Sequence, residues 1–186
     1  MTSWLESDIG ELVPQDCDPA DQYSRAPVHS VGRQTLVLGF GNLLLSDDGA
    51  GVRVTERLCS ELGPAAANFV DAGTLSFSLL SLVEAADSLL VIDAADLDRP
   101  AGSIALLEGA AMDEFLKSTR RRTVHEVGLI DLLDMARLQD CLPLRRALLC
   151  IQPQRIDWSD ALSVPVAESL PAAVRQATML LQRWRA

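Results

Sequence analysis

The stretch TLVLGFGNLLLSDDGAGVRVTERLCSEL, residues 35–62, decides the fold class. Its first part is a short apolar run that ends in glycines, the pattern of a buried strand followed at once by a sharp turn. From Asp47 onward Val52, Val54, Leu58 and Leu62 recur at helical spacing, and the acids at the start favour the positive end of a helix dipole. Gly63-Pro64 stops the helix. A strand, a glycine turn and a helix in that order form the opening unit of an α/β sheet.

The same alternation continues outward. Residues 67–73 (ANFVDAG) predict a second strand and residues 76–86 (SFSLLSLVEAA) a second helix. Residues 88–94 (SLLVIDA) predict a third strand, continuous in Leu, Val and Ile as a strand covered on both faces requires. After the loop DLDRPAG, residues 103–108 (SIALLE) suit an edge strand, and residues 112–122 a short helix running into an exposed basic segment. Residues 125–138 predict a helix with Val127, Ile130 and Leu133 inward, and residues 146–152 (RALLCIQ) a last core strand. Residues 164–184 predict a long final helix with Val166, Leu170, Val174, Ala177, Leu181 and Trp184 on one face. The expected architecture is α/β: a mainly parallel twisted sheet of about five strands, flanked by helices on both faces in a three-layer sandwich.

Residues 1–33 stand apart, acidic, proline-containing and without sustained periodicity. They read as a loosely ordered or partner-docking N-terminal extension, with one short helix around Trp4 to Leu12. Residues 34–186 then form a single α/β domain.

The formal charge of −10, from 26 acidic and 16 basic residues, excludes a general nucleic-acid binder, which needs a basic face. No segment approaches the roughly 18 uninterrupted apolar residues of a membrane span, and the N-terminus lacks the basic start and apolar run of a signal peptide. The expectation is a cytoplasmic protein with neither nucleic acid nor membrane as partner. Cys17, Cys59, Cys141 and Cys150 form no C-x-x-C pair, and none stands at zinc-ligand spacing from a His. Cys59 and Cys150 lie in apolar runs and read as buried packing residues.

In an open parallel sheet, ligands bind beyond the carboxyl ends of the strands, where loops converge at a reversal of strand order. The first strand delivers Asn42, Asp47 and Asp48 there, the second Asp71, and the third Asp93 with Asp96 and Asp98 beyond. His125 begins a helix near one end of the sheet, whereas His29 belongs to the extension. Asp48, Asp93 and His125 together would suit nickel, zinc, cobalt or manganese. Each has an ordinary reading as well. Asp48 could cap a helix, His125 could do the same, and Asp47 reads as a turn residue. Asp93 closes an apolar strand, so its carboxylate must find partners or a metal. Gly39 and Gly41 lack the third glycine of a dinucleotide fingerprint, because Leu44 stands in its place. No G-x-S-x-G elbow is present, and the cysteines avoid the expected rim.

Residues 36–54, then DAGTLSFSLL, LLVIDA and HEVGL in that order, resemble the hydrogenase maturation proteases. The stretch IQPQRIDWSDALSVPVAESLPAAV resembles their closing Q-P segment and final helix, so the likeness spans roughly residues 35–184. It implies that residues 34–186 are a maturation-protease domain. It also implies an aspartic-type endopeptidase that removes a C-terminal peptide from the nickel-loaded precursor of a nickel–iron hydrogenase large subunit. In that family an acid after the first strand, an Asp ending a later strand and a His before a helix bind the nickel used for recognition. The matching positions are Asp48, Asp93 and His125, with Asp48 and Asp93 the candidate catalytic carboxylates. The nickel would come largely from the substrate. The family's frequent D-G-G-T appears as Asp71-Ala72-Gly73-Thr74, and Ala72 tolerates a positive φ poorly. The alternative is a nickel-sensing assembly chaperone of the same fold that does not cleave.

Overall fold

A computed structural model describes residues 34–73, 79–119 and 124–186, with the side chains of 119 and 124–127 outside the description. The extension read over residues 1–33 and the basic segment at 120–122 also lie outside the described residues.

Five strands form one sheet: β1 (Thr35–Phe40), β2 (Asn68–Gly73), β3 (Ser88–Ala94), β4 (Ile104–Glu108) and β5 (Arg145–Ile151), in the order β2-β1-β3-β5-β4. All pairings are parallel except that of β4 with β5. The helices are α1 (Ala50–Leu62), α2 (Leu80–Glu84), α3 (Ala110–Thr119), α4 (Val124–Leu138) and α5 (Val164–Arg185). The strand–helix alternation expected from the sequence is therefore present. The second helix ends at Glu84, two residues before the expected Ala86, and residues 76–78 of the expected helix lie outside the described residues.

Alternation along the strands divides the core between the two faces. Leu36, Leu38, Phe40, Leu89, Val91 and Leu148 face one way, with Val83 of α2, Met112 and Leu116 of α3, and Leu129 and Leu132 of α4. Val37, Leu90, Ile92, Leu149 and Ile151 face the other way, packed with Val54 and Leu58 of α1 and with Val174, Leu181 and Trp184 of α5. β1 and β3 carry helices on both sides and are buried along their whole length, which is why their sequences are continuously apolar. Cys150 is buried as expected; Cys59 is only partly so, because it lies at the edge of the inward stripe of α1. Among the described residues, no helix is long and apolar enough to cross a membrane.

The order β2-β1-β3 places the reversal of chain direction across the sheet between β1 and β3. β1 leads out through α1 to β2 on one side, and the chain then returns to β3 on the other. The carboxyl ends of β1 and β3 therefore lead into loops on opposite sides, the position at which such sheets bind ligands.

Candidate functional site at the β1–β3 switch point

β1 ends at Phe40 and Gly41 takes a φ of +125°, a conformation that L side chains avoid. A Cβ on Gly41 would stand 1.8 Å from the Asp48 carbonyl oxygen, so the loop of residues 41–48 folds directly back on itself. The Gly41 N–H donates to the Gly73 carbonyl at 3.0 Å and ties the ends of β1 and β2 together.

A 3-10 turn at Ser46–Gly49 carries Asp47 and Asp48 and runs directly into α1. Its entry requires Ser46 at a φ of +54°. That strained residue is fixed by two bonds, its N–H to the Ser159 carbonyl (2.7 Å) and its Oγ to the Ala161 carbonyl (3.0 Å). Gly51 seats the start of α1 against the sheet. A Cβ there would lie 2.3 Å from the carbonyl oxygen of Ile92 and 2.4 Å from that of Phe40. Backbone-to-backbone approach of this kind holds the turn bearing Asp48 against the strand end bearing Asp93.

Asp48 and Asp93 are both buried carboxylates at this rim. Asp48 Oδ2 accepts the Asn42 N–H at 2.8 Å. The helix-cap reading of Asp48 is not what the geometry shows: the cap position of α1 is Gly49, which makes no side-chain cap bond, and the Asp48 carboxylate reaches back across the loop instead. Asp93 is in register with Cys150 on β5. By strand alternation it shares the face of Leu89 and Val91, against which α4 packs.

His125 falls in the first turn of α4, and its imidazole lies outside the described residues. The course of the backbone is informative. α4 ends at Leu138, seven residues before β5 begins at Arg145, next to the amino end of β3. Its 15 residues cover about 22 Å at the helical rise of about 1.5 Å per residue, the depth of the sheet. The first turn of α4 therefore lies toward the carboxyl rim, on the face to which Asp93 belongs. Among the described residues, which exclude the His125 side chain, no three His, Cys, Asp or Glu residues gather at metal-binding spacing.

The other aspartates separate by role. Asp71 Oδ1 accepts the Gly73 N–H at 2.8 Å and Asp96 Oδ1 the Asp98 N–H at 3.0 Å, so both close turns in their own loops. Ala72 needs no unusual conformation, because it stays in β2 and the positive φ (+51°) falls on Gly73. Asp47, read from sequence as a turn residue, is a fully buried anchor. Its Oδ1 accepts the Ser163 N–H (2.7 Å), and its Oδ2 accepts the Ser163 hydroxyl (2.7 Å) and the N–H groups of Gln154 (2.8 Å) and Arg155 (3.1 Å). Burial alone raises the Asp47 pKa. The bonds from Ser163, Gln154 and Arg155 outweigh it, and the net shift is downward.

Two further features escaped the sequence reading. Gln152 Oε1 accepts the Leu97 N–H at 2.6 Å, bracing the loop after β3 against the loop after β5. Cys150 does not avoid the rim as expected, because the β3–β5 register sets it beside Asp93. Local spacing carries no information about that register, so neither feature could have been read from the chain alone.

An open, mostly parallel sheet covered on both faces, with buried carboxylates where strand order reverses, defines the class: an α/β protein with a pair of buried acids at its switch point. The family model described as hydrogenase maturation protease matches residues 52–180. The chain is 31% identical over 153 residues to the hydrogenase expression/formation protein HupD of Rhodobacter capsulatus, covering 81% of this chain and 72% of that one. Among solved structures it resembles the hydrogenase maturating endopeptidase HybD from E. coli, with a TM-score of 0.74, 27% identity, and 81% and 93% of the two chains covered. The [NiFe] hydrogenase maturation protease HybD from Thermococcus kodakarensis gives a TM-score of 0.68 at 26% identity, over 80% and 99% of the two chains. The chain belongs to the hydrogenase maturation proteases, and its fold and peptidase class are those of that family.

Proposed function

We propose that this peptidase removes a C-terminal peptide from the precursor of a nickel–iron hydrogenase large subunit after nickel has been inserted, and that it acts as an aspartic-type endopeptidase. Asp48, Asp93 and His125 are the proposed ligands to the nickel that the substrate carries. The observation that supports this reading is the pair of buried carboxylates, Asp93 at the end of β3 and Asp48 in the turn that follows β1, on segments that Gly51 holds in backbone contact.

The donor set suits the task. Two carboxylates and an imidazole accept a borderline divalent ion such as nickel and leave coordination positions for the substrate's own ligands. Completing a coordination sphere makes affinity depend on the metal, so a nickel-free precursor loses those bonds and binds weakly. Hydrolysis further requires a base to activate water and a positive field at the developing oxyanion. Asp48 and Asp93 are the proposed source of the base, and substrate-borne nickel the proposed source of the field. A carboxylate bound to metal is a poor base, so one residue does not serve both purposes at the same moment.

The test is mass spectrometry of a purified large-subunit precursor, nickel-loaded or nickel-free, incubated with and without the protein. A defined C-terminal mass loss confined to the nickel-loaded sample is the expected result. Equal trimming of both samples removes the recognition scheme. Unchanged mass together with a stable complex replaces the protease with a non-cleaving nickel-sensing chaperone.

A further inference from the structure

The loop between β5 and α5, residues 152–163, makes unusual use of its hydrogen bonds. Asp47 holds it at both ends, through Gln154 and Arg155 on one side and Ser163 on the other. Ser46 holds the middle: its N–H bonds to the Ser159 carbonyl and its Oγ to that of Ala161. A guanidinium N–H of Arg53 donates to the Asp160 carbonyl. Every one of these anchors lies within five residues of Asp48 or in the same turn. The loop is thus tied to the turn that bears Asp48.

Among the side chains that loop and turn expose are large apolar ones, set beside the Arg155–Asp157 ion pair. Trp158 is 83% exposed, Leu44 57% and Ile156 50%. The Ser159 N–H donates to the Leu44 carbonyl at 3.0 Å, and the parallel bridge between Leu45 and Ser159 sets Trp158 alongside Leu44 in the backbone pairing. Val164, at the start of α5, adds a fourth exposed apolar side chain beside Ser163. The backbone on either side of Trp158 is fixed by Asp47 and Ser46, so little loop freedom remains to be lost when something docks on it.

We infer that the 152–163 loop, with Trp158 at its centre and Leu44 and Ile156 beside it, is a docking surface for the polypeptide that the Asp48–Asp93 site cleaves. The inference rests on the proteolytic reading above and names how the substrate is gripped. The occupant is a protein chain rather than a small molecule because the family is one of proteases and the exposed Leu44, paired with this loop, belongs to the same 41–48 segment that carries Asp48. Exposed tryptophan and aliphatic side chains beside the Arg155–Asp157 ion pair have the composition of an interface hot spot. Because Asp47 couples this loop to the turn that bears Asp48, a polypeptide seated on Trp158 meets the carboxylates at a fixed offset. Trp158 is accordingly a specificity-determining residue, and Asp47 a positioning residue that acts through the loop.

The experiment compares steady-state processing of a purified nickel-loaded large-subunit precursor by the wild-type chain, Trp158→Ala and Leu144→Ala. Leu144 is 91% exposed and precedes the amino end of β5, at the opposite end of the strands from the carboxyl rim, which makes it the control. Truncating an aromatic hot-spot side chain predicts a KM about tenfold higher for Trp158→Ala, with kcat within about twofold, since only uniform binding is removed. Leu144→Ala should match the wild type. A KM for Trp158→Ala equal to that of the wild type overturns the inference, and so does a fall in kcat with KM unmoved. Failure of the wild-type chain to cleave the precursor at all strikes instead at the proteolytic reading, so the two failures are told apart.

Discussion

The carbonyl oxygen of Ile92 lies 2.3 Å from the point where a Cβ on residue 51 would stand, so Gly51 has no room for any side chain. Ile92 immediately precedes Asp93, and Gly51 follows Asp48 by three residues. One missing methyl group therefore sets how closely the two carboxylate-bearing segments approach.

Gly51→Ala should force α1 away from the ends of β1 and β3, because the obstructing atoms are backbone carbonyls that cannot swing aside. Overpacking of this kind costs about 1–3 kcal/mol. Denaturant unfolding should show a lower midpoint by that amount, and processing should fall further than stability does. A Gly51→Ala protein with wild-type stability and activity would show that the contact yields.

Asp93→Asn and His125→Ala should each abolish processing while leaving the fold intact. Asn fills the volume of Asp93 without its charge, and His125 lies in the first turn of α4. Circular dichroism establishes the fold, and gel-shift of the precursor reads the activity. Normal processing by either variant removes that residue from the proposed site.

Asp47 makes stability depend on acid pH in a predictable direction. Burial pulls its pKa upward, but the bonds from Ser163, Gln154 and Arg155 prevail and the folded value lies below the unfolded one. A depressed carboxylate contributes stability that is complete above the unfolded value of about 3.9 and is lost as the pH falls through the lower folded value. Asp47→Asn should remove that contribution and cost about 2–3 kcal/mol near neutral pH, the magnitude of hydrogen bonds to a buried charge. The difference in unfolding free energy between variant and wild type should shrink below about pH 4. A gap of constant size down to pH 2 contradicts this account. Asp113 adds to the same acid limb, since the bond from Arg146 is the main cause of its lowered pKa.

The strands and helices were legible in the sequence because their signals are local. The continuous apolar run of residues 88–92 reports burial on both faces, and the spacing of Val166, Val174, Ala177, Leu181 and Trp184 reports one inward stripe, all of which the core confirms. The acids at strand ends were legible too, since a charged residue that closes an apolar strand is visible in one dimension. Strand order was not. Nothing between residues 104 and 108 states that β4 runs antiparallel beside β5.

The clearest division falls between two neighbours. Sequence determined that Asp47 and Asp48 both follow the first strand at the mouth of a helix, and their residue type and position are nearly interchangeable. Only the tertiary structure decided that Asp47 faces inward to Ser163, Gln154 and Arg155, more than a hundred residues further along, while Asp48 turns to Asn42 at the switch point. Periodicity is written in the few residues of a helical turn or a strand pair, whereas the partners of a buried carboxylate are chosen by which distant backbone amides the packed sheet brings within bonding range.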